Sequence, residues 1–163
     1  FQVLRETAIT TAKLFLILFG ALLFSNFVNR AGLPDGLIGI VNAFDLSPLG
    51  VIFIILLIYV VLGCVFESLS MILLTVPIFA PLVASLGFDL IWFGILVVVV
   101  TEISLITPPI GLNVFVLKGV LKDVAVGTIF KGVTPFWVAD IFRLLLLAGV
   151  PSIALFLPSM MMD

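Results

Sequence analysis

LIWFGILVVVVTEISLITPPIGLNVFVL, residues 90–117, is long and apolar enough to span a bilayer, yet Thr107-Pro108-Pro109-Ile110-Gly111 breaks it near its centre. Two adjacent prolines remove two backbone N–H donors and clash with the preceding turn. The residue before a proline is also pushed out of the helical region, and glycine adopts dihedrals that other residues avoid. Each backbone group stranded in hydrocarbon costs several kcal/mol, so such a break persists where it lines a polar cavity or binds something.

This break has two interpretations. In many secondary transporters, broken helices near the midplane hold ions and substrate. Here freed carbonyls and the hydroxyls of Ser104 and Thr107 would be ligands for a small hard cation. The alternative is a proline kink packed by neighbouring helices, with Thr107 satisfying one carbonyl. A doubled proline with Thr before it and Gly after it favours the ion or substrate site.

Composition predicts an all-α integral membrane protein. The 163 residues are 64% hydrophobic and 10% charged, whereas a soluble domain is roughly half apolar and a quarter charged. The absence of histidine and the single cysteine, Cys64, exclude a disulfide within the chain and argue against zinc, haem or iron–sulfur sites and Ser-His or Cys-His catalysis. No basic patch suggests nucleic-acid binding. The chain begins at Phe1 and is interpreted as the C-terminal part of a larger protein.

The hydrophobic pattern predicts the order of the helices. A 21-residue apolar run, roughly 31 Å as a helix, predicts a first membrane span. Two apolar arms around a polar tip predict a helical hairpin that enters and leaves the membrane on one side. The predicted segments are a span over 8–28, a surface helix over 37–44, a helix start at 45–48 with an Asp or Ser cap, hairpin arms over 49–62 and 71–86, half-helices over 90–103 and 111–121, a polar connector over 123–131, and a last span over 134–157 kinked at 149–151.

Lysines predict the topology. Lys118, Lys122 and Lys131 lie between the broken helix and the last span, which places that connector on the cytoplasmic side by the positive-inside rule. The hairpin then opens to the outside and its tip reaches inward. The first span then begins inside, which agrees with Arg5 and Lys13, whereas Arg30 falls on the outer side and disagrees with this topology.

Polar side chains outside the break are further candidates. At the hairpin tip, Gly63 permits close backbone approach and Glu67, Ser68 and Ser70 supply polar groups; the alternative is a hydrated loop. The tip and the break are expected to be neighbours. Asn113, on the second half-helix near the break, is a candidate substrate contact, and Asp140 is expected to pair with Arg143. Glu102 is costly at bilayer depth and has three open roles: proton relay, tuning of a cation site, or a satisfied structural acid.

Several strings in order resemble the large membrane subunit of TRAP transporters, the tripartite ATP-independent periplasmic transporters. They are LGCVFE (62–67), ILLTVPIFAP (72–81), LGFD (86–89), IWFG (91–94), Glu102 with ITPPIGLNVFV (106–116), and LFLP (155–158). The resemblance covers essentially the whole chain. It implies an elevator-type fold of the ion-transporter superfamily, here the C-terminal repeat with a re-entrant helical hairpin and a broken transmembrane helix. Residues 1–47 would be a scaffold helix and interfacial linker, 48–121 the transport-domain hairpin and broken helix, and 122–163 the connecting arm, last transmembrane helix and tail.

The resemblance also implies a function. The chain would be a multi-pass permease subunit in a bacterial or archaeal inner membrane, not an enzyme. It would import organic acids such as C4-dicarboxylates or sialic acid, with sodium as the coupling ion and no other cofactor. A periplasmic binding protein and a small membrane subunit would be its partners. A stand-alone sodium/dicarboxylate or citrate symporter is the alternative, ahead of a membrane-embedded enzyme or a structural membrane subunit.

Site residues follow from the resemblance as well. A sodium site would lie between the hairpin tip and the break, formed by Gly63, Ser104, Thr107 and the backbone carbonyl of Ile110. Ser104 stands where the family often has glycine, so its hydroxyl would either add a ligand or crowd the site. The candidates for the substrate cavity are Glu67, Ser68, Ser70, Pro108, Pro109 and Asn113.

Overall fold

A computed structural model describes residues 1–108 and 110–162 and shows eight helices, with no β-strand among these residues. Pro109, a predicted cavity residue, lies outside the described residues. The helices are α1 (Gln2–Arg30), α2 (Leu33–Ala43), α3 (Pro48–Leu62), α4 (Ser68–Ser85), α5 (Leu90–Ser104), α6 (Leu112–Val120), α7 (Val126–Gly149) and α8 (Pro151–Met162). The predicted all-α class is therefore confirmed for the described part of the chain.

Three helices, α1, α4 and α7, are long and apolar enough to cross a membrane. The first hairpin arm, α3, has 15 residues, as predicted for a short segment. The second arm, α4, has 18 residues and reaches spanning length, because its start extends back to Ser68. The helix α4 is therefore longer than the arm predicted over 71–86, while the way the hairpin enters the membrane stays a prediction.

The centre of the molecule is α5, which packs against α3, α4, α7 and α8. Its side chains Trp92, Leu96 and Val100 are fully buried, together with Ile52 and Ile55 from α3. In lipid, close van der Waals packing of such side chains, rather than their removal from water, holds helices together. The helix that ends at the break, α5, is therefore packed on most of its sides. This packing holds the first residues of the break in place.

Side-chain caps fix where three helices begin. Ser47 accepts a hydrogen bond from the Gly50 N–H at 3.2 Å, so the predicted start of α3 is confirmed with Ser rather than Asp as the cap. Glu67 caps α4 in the same way. Asp89 caps α5 by accepting from two N–H groups of its first turn.

Two predicted helix starts are too late. The surface helix α2 begins at Leu33 rather than 37, because Pro34 and Asp35 suit the first turn of a helix. The last span begins at Val126, so most of the predicted polar connector is helical. Ile129 in that segment is buried, and this apolar contact overrides the glycines around it.

The predicted kink at 149–151 is a break between α7 and α8. Pro151 has no N–H to donate to the carbonyl of Leu147, one turn earlier. The indole Nε1–H of Trp92 donates to that carbonyl instead, at 2.8 Å. The hydrogen bond lost to the proline is therefore replaced from α5.

Candidate functional site

A backbone hydrogen bond across the break connects the two half-helices, α5 and α6. Leu105 would accept a helical hydrogen bond from residue 109, but that residue is a proline. The N–H of Asn113 donates to the Leu105 carbonyl instead, at 3.1 Å across the break. Gly111 has φ +55°, and a Cβ there would lie 3.3 Å from Cε1 of Phe130. The break is therefore a defined structure that uses glycine for both its dihedral angle and its space.

Thr107 lies at the centre of the break and is buried. Its hydroxyl donates to the carbonyl of Ile103 at 2.7 Å. The indole Nε1–H of Trp137, in α7, donates to the same hydroxyl oxygen at 2.9 Å. A threonine hydroxyl has one proton and two lone pairs, so one lone pair remains available for a ligand.

Several backbone carbonyls near the break and the tip accept no hydrogen bond from the described residues. Among the hydrogen bonds of residues 1–108 and 110–162, none ends on the carbonyl of Ile106, Thr107, Ile110 or Gly63. A carbonyl left without a donor in a membrane interior needs another partner. Three of these four carbonyls belong to residues predicted to bind sodium, namely Gly63, Thr107 and Ile110.

The hairpin tip touches the break through Gly63 and Ser104. A Cβ built on Gly63 would lie 1.7 Å from the Oγ of Ser104 and 2.3 Å from its Cβ, so no side chain fits at position 63. Both residues are buried. The expectation that these two polar segments are neighbours is thereby confirmed, while ion binding at their contact stays a prediction.

The hydroxyl of Ser104 fills the space beside Gly63. It donates its proton to the carbonyl of Thr101 at 2.5 Å, so both lone pairs of the hydroxyl oxygen are still able to accept a hydrogen bond or bind an ion. Thr101 is itself fully buried, and its Oγ1 has no hydrogen-bond partner among the described residues. The hydroxyl oxygens of Ser104 and Thr101, both able to accept a further hydrogen bond, thus lie within one turn of the end of α5.

Glu67 and Ser70 are engaged in capping α4. The carboxylate of Glu67 accepts from the N–H of Leu69 at 2.9 Å and from the N–H and hydroxyl of Ser70, each at 3.1 Å. The Leu69 hydrogen bond, aided by those from Ser70 and opposed by slight burial, lowers the pKa of Glu67 below its ordinary value of 4.5. Glu67 precedes α4 and is exposed, so it remains an anion at neutral pH.

The remaining predicted residues lie on open surfaces of this chain. Pro108, Asn113 and Glu102 are exposed, and Ser68 is half-buried at the first position of α4. Pro108 also lines a cavity of about 120 Å³ between the break and α7. The predicted pair of Asp140 and Arg143 is confirmed, with Oδ1 and Nη2 3.0 Å apart.

The sequence matches the family model for the DctM component of tripartite ATP-independent periplasmic transporters over residues 1–153. The chain belongs to this family. Sequence resemblance, helical architecture and the family match therefore agree, and the chain is part of an integral membrane protein.

Curated relatives of this DctM-family chain are permeases rather than enzymes, as the sequence predicts. The sialic acid TRAP transporter large permease protein SiaM of Vibrio cholerae is 33% identical over 159 residues, 98% of this chain and 37% of the relative. The C4-dicarboxylate large permease DctM of Pseudomonas aeruginosa is 32% identical over 97% of this chain and 37% of its own length. The ectoine/5-hydroxyectoine large permease UehC of Ruegeria pomeroyi is 30% identical over 94% and 36%. The chain thus spans little more than a third of these relatives.

Sequence reasoning missed two residues in this DctM-family site. Trp137 lies 30 positions beyond Thr107. It belongs to the last predicted span, which a lysine-containing connector separates in sequence from the break. No local pattern signals that contact, since it depends on how α7 packs against α5 and α6. Thr101 was missed because a threonine in an apolar helix ordinarily returns its hydroxyl to its own backbone.

Proposed function

We propose that this chain is the part of a TRAP large permease in which sodium binding is coupled to import of an organic acid. The observation that carries the proposal is the contact of Gly63 with Ser104, beside carbonyls that accept no hydrogen bond from the described residues. The chain's family membership supports transport, and the chemistry of the contact supports a cation.

The ends of two helices meet at this contact. Gly63 follows the last residue of α3 and Ser104 is the last residue of α5, so both helices present their C-termini there. A helix C-terminus carries roughly half a negative charge. Two such ends together favour a cation without requiring a buried carboxylate.

The ligand chemistry suits a hard monovalent ion. Hydroxyls of Ser104 and Thr107 and the carbonyls of Gly63 and Ile110 are neutral oxygens, the ligand class that hard cations prefer. No carboxylate belongs to this set, since the carboxylate of Glu67 is occupied by the cap of α4. A divalent ion would lack compensating charge, so sodium is the better match.

An anionic substrate fits the other side of the break. Gly111 is the N-cap of α6 and supplies no side-chain cap. The N–H groups of Asn113 and Val114 already donate to carbonyls, so the attraction for a carboxylate would come from the partial positive charge of the helix N-terminus. Asn113 and Pro108 are exposed next to it, as substrate contacts require. We propose a carboxylate-bearing substrate on this basis, in keeping with relatives named for sialic acid and C4-dicarboxylates.

The proposal extends to partners and motion. The complete permease would work in the inner membrane with a small membrane subunit and a periplasmic binding protein that delivers the substrate. Residues 48–121 would move as an elevator-type transport domain, and the face of α7 that contacts the break would move with them. A stand-alone symporter of the same superfamily would transport without the binding protein, so uptake assays with and without that protein separate the two.

Uptake into proteoliposomes tests the sodium site. The complete permease with its partners is assayed with an inward sodium gradient and with potassium in its place, and wild-type uptake should require sodium. Thr107→Ala should raise the half-saturating sodium concentration by about tenfold or more, since it removes one ligand and leaves the Trp137 N–H without an acceptor.

Ser159→Ala is the control. Ser159 donates its hydroxyl to a carbonyl of its own helix α8, that of Phe156, as Thr107 does to that of Ile103, but it is exposed. Uptake that ignores sodium in the wild type would reject the proposed function. A Thr107→Ala variant with the sodium dependence of Ser159→Ala would reject the proposed site.

A further inference from the structure

The chain contains two tryptophans, and both donate their indole N–H to another helix. Trp92 donates to the carbonyl of Leu147, which has lost its helical donor at Pro151, so its role is to complete the backbone. Trp137 donates to a side-chain hydroxyl that already makes a hydrogen bond of its own. That second bond is not needed to satisfy the backbone, and it requires a different explanation.

The bond from Trp137 fixes the direction of the Thr107 hydroxyl. The single proton of Thr107 goes to the carbonyl of Ile103, and one lone pair receives the indole N–H. These two bonds leave one lone pair, whose direction is then set by geometry rather than by free rotation. A ligand oxygen held in place before the ion arrives binds it with a smaller loss of freedom.

The same face of α7 holds the other end of the break. Phe130 lies seven residues before Trp137, hence on the same side of the helix. Its Cε1 would be 3.3 Å from a Cβ at Gly111. Both residues line the cavity of about 120 Å³ that separates α7 from the break, together with Pro108. One helix face thus supports the break at Thr107 and at Gly111.

We propose that Trp137 is a positioning residue for the coupling ion: it orients Thr107 as a ligand from outside the ion's own shell. The inference rests on the proposed sodium site and adds α7 to it. Partners that orient metal ligands from outside typically change affinity when they are removed. Loss of Trp137 should therefore alter the sodium requirement more than the maximal rate.

Trp137→Phe tests this by removing the N–H and retaining an aromatic ring. In sodium-driven uptake by the complete permease, we expect the half-saturating sodium concentration to rise about three- to tenfold, the scale of one hydrogen bond. The substrate half-saturation and the maximal rate at saturating sodium should change less than about twofold. Trp92→Phe is the control, since it also loses an interhelical N–H donor but does not touch Thr107.

A double-mutant cycle distinguishes positioning from general packing. In a Thr107→Val background the acceptor of the indole N–H is already gone, so Trp137→Phe should add no further change in sodium half-saturation. A packing role would add the same factor in both backgrounds. As a readout independent of transport, sodium should raise the Tm of the purified complex less in Trp137→Phe than in Trp92→Phe.

The outcomes separate this inference from the proposed function. Wild-type uptake without sodium dependence would overturn both. Sodium-dependent wild-type uptake with equal shifts in the two tryptophan variants, or with an additive cycle, would overturn the role of Trp137 alone. A shift confined to Trp137→Phe and abolished by Thr107→Val would support it.

Discussion

Because Gly63 has no side chain, the hairpin tip can lie in direct contact with the end of α5. It lies against Ser104, whose Oγ and Cβ both occupy the space that a side chain at 63 would need. Rotating the Ser104 hydroxyl away would relieve only the first of these contacts, so the backbone itself would have to move. At the scale of single residues, the distance between the hairpin tip and the break is therefore set by this pair.

Gly63→Ala should separate the tip from the break. Overpacking of a tight site typically costs about 1–3 kcal/mol, and the coupling site should be damaged beyond that loss of stability. We expect a lower Tm and the loss of most sodium-driven uptake. Ser104→Gly removes both clashing atoms, so the double variant Gly63→Ala/Ser104→Gly should recover the Tm. Its uptake should recover only in part and at a higher sodium concentration, because the Ser104 hydroxyl ligand is missing.

Gly94→Ala is the control for that experiment, because Gly94 lies in the same helix as Ser104 and has no neighbouring atom within 4 Å of its Cβ position. It should leave uptake unchanged. If Gly63→Ala transports as well as Gly94→Ala, the close contact of tip and break has no part in transport.

The ends of helices could be predicted where the local sequence contains helix-breaking or helix-capping residues. The prolines and Gly111 mark the break, and Ser47 with Pro48 marks the start of α3. The start of α7 was not predictable, because Gly127 and Gly132 suggest a loop and only burial of Ile129 makes the segment helical. The candidate site divides the same way: Ser104 and Thr107 follow from the break, whereas Trp137 reaches it through tertiary packing.

The α4 cap allows a second test at the scale of elements. Glu67→Ala removes both oxygens that accept from Leu69 and Ser70, and loss of such a cap typically costs about 1 kcal/mol. Because its pKa is lowered on folding, the carboxylate stabilises the protein at neutral pH, and this stabilisation is lost as the pH falls through that lowered pKa. Thermal unfolding at pH 7 and at acid pH should show a difference between wild type and variant that shrinks in acid.

Asp89→Ala is the matched control, since Asp89 caps α5 with the same type of hydrogen bonds but lies away from the tip. Glu67→Gln retains an acceptor oxygen and loses the charge. If Glu67→Gln leaves both sodium and substrate half-saturation at wild-type values, the Glu67 carboxylate is only a cap. A change in either value that Asp89→Ala does not share would place Glu67 in the substrate cavity.

At the scale of the whole molecule, α5 connects the parts that the proposed mechanism must move together. It packs on both hairpin arms and on α7 and α8, while α6 packs on α7. The break, the hairpin and the face of α7 that carries Trp137 therefore share one contact network. Under the proposed elevator mechanism, the transport domain would move across the membrane as a body, and the hairpin tip would change its exposure to the two sides.

Cysteine labelling at the tip tests that motion in the complete permease. Ser68→Cys is introduced with Cys64 replaced by alanine, and its reaction with a membrane-impermeant maleimide is measured from outside. Because a moving tip is exposed to each side only part of the time, sodium alone and sodium with substrate should give labelling rates that differ severalfold. Asn29→Cys, at the exposed end of α1 that the predicted topology places outside, should react at one rate in both conditions. Equal, full reactivity of Ser68→Cys from outside in every condition would rule out a tip that travels with the transport domain.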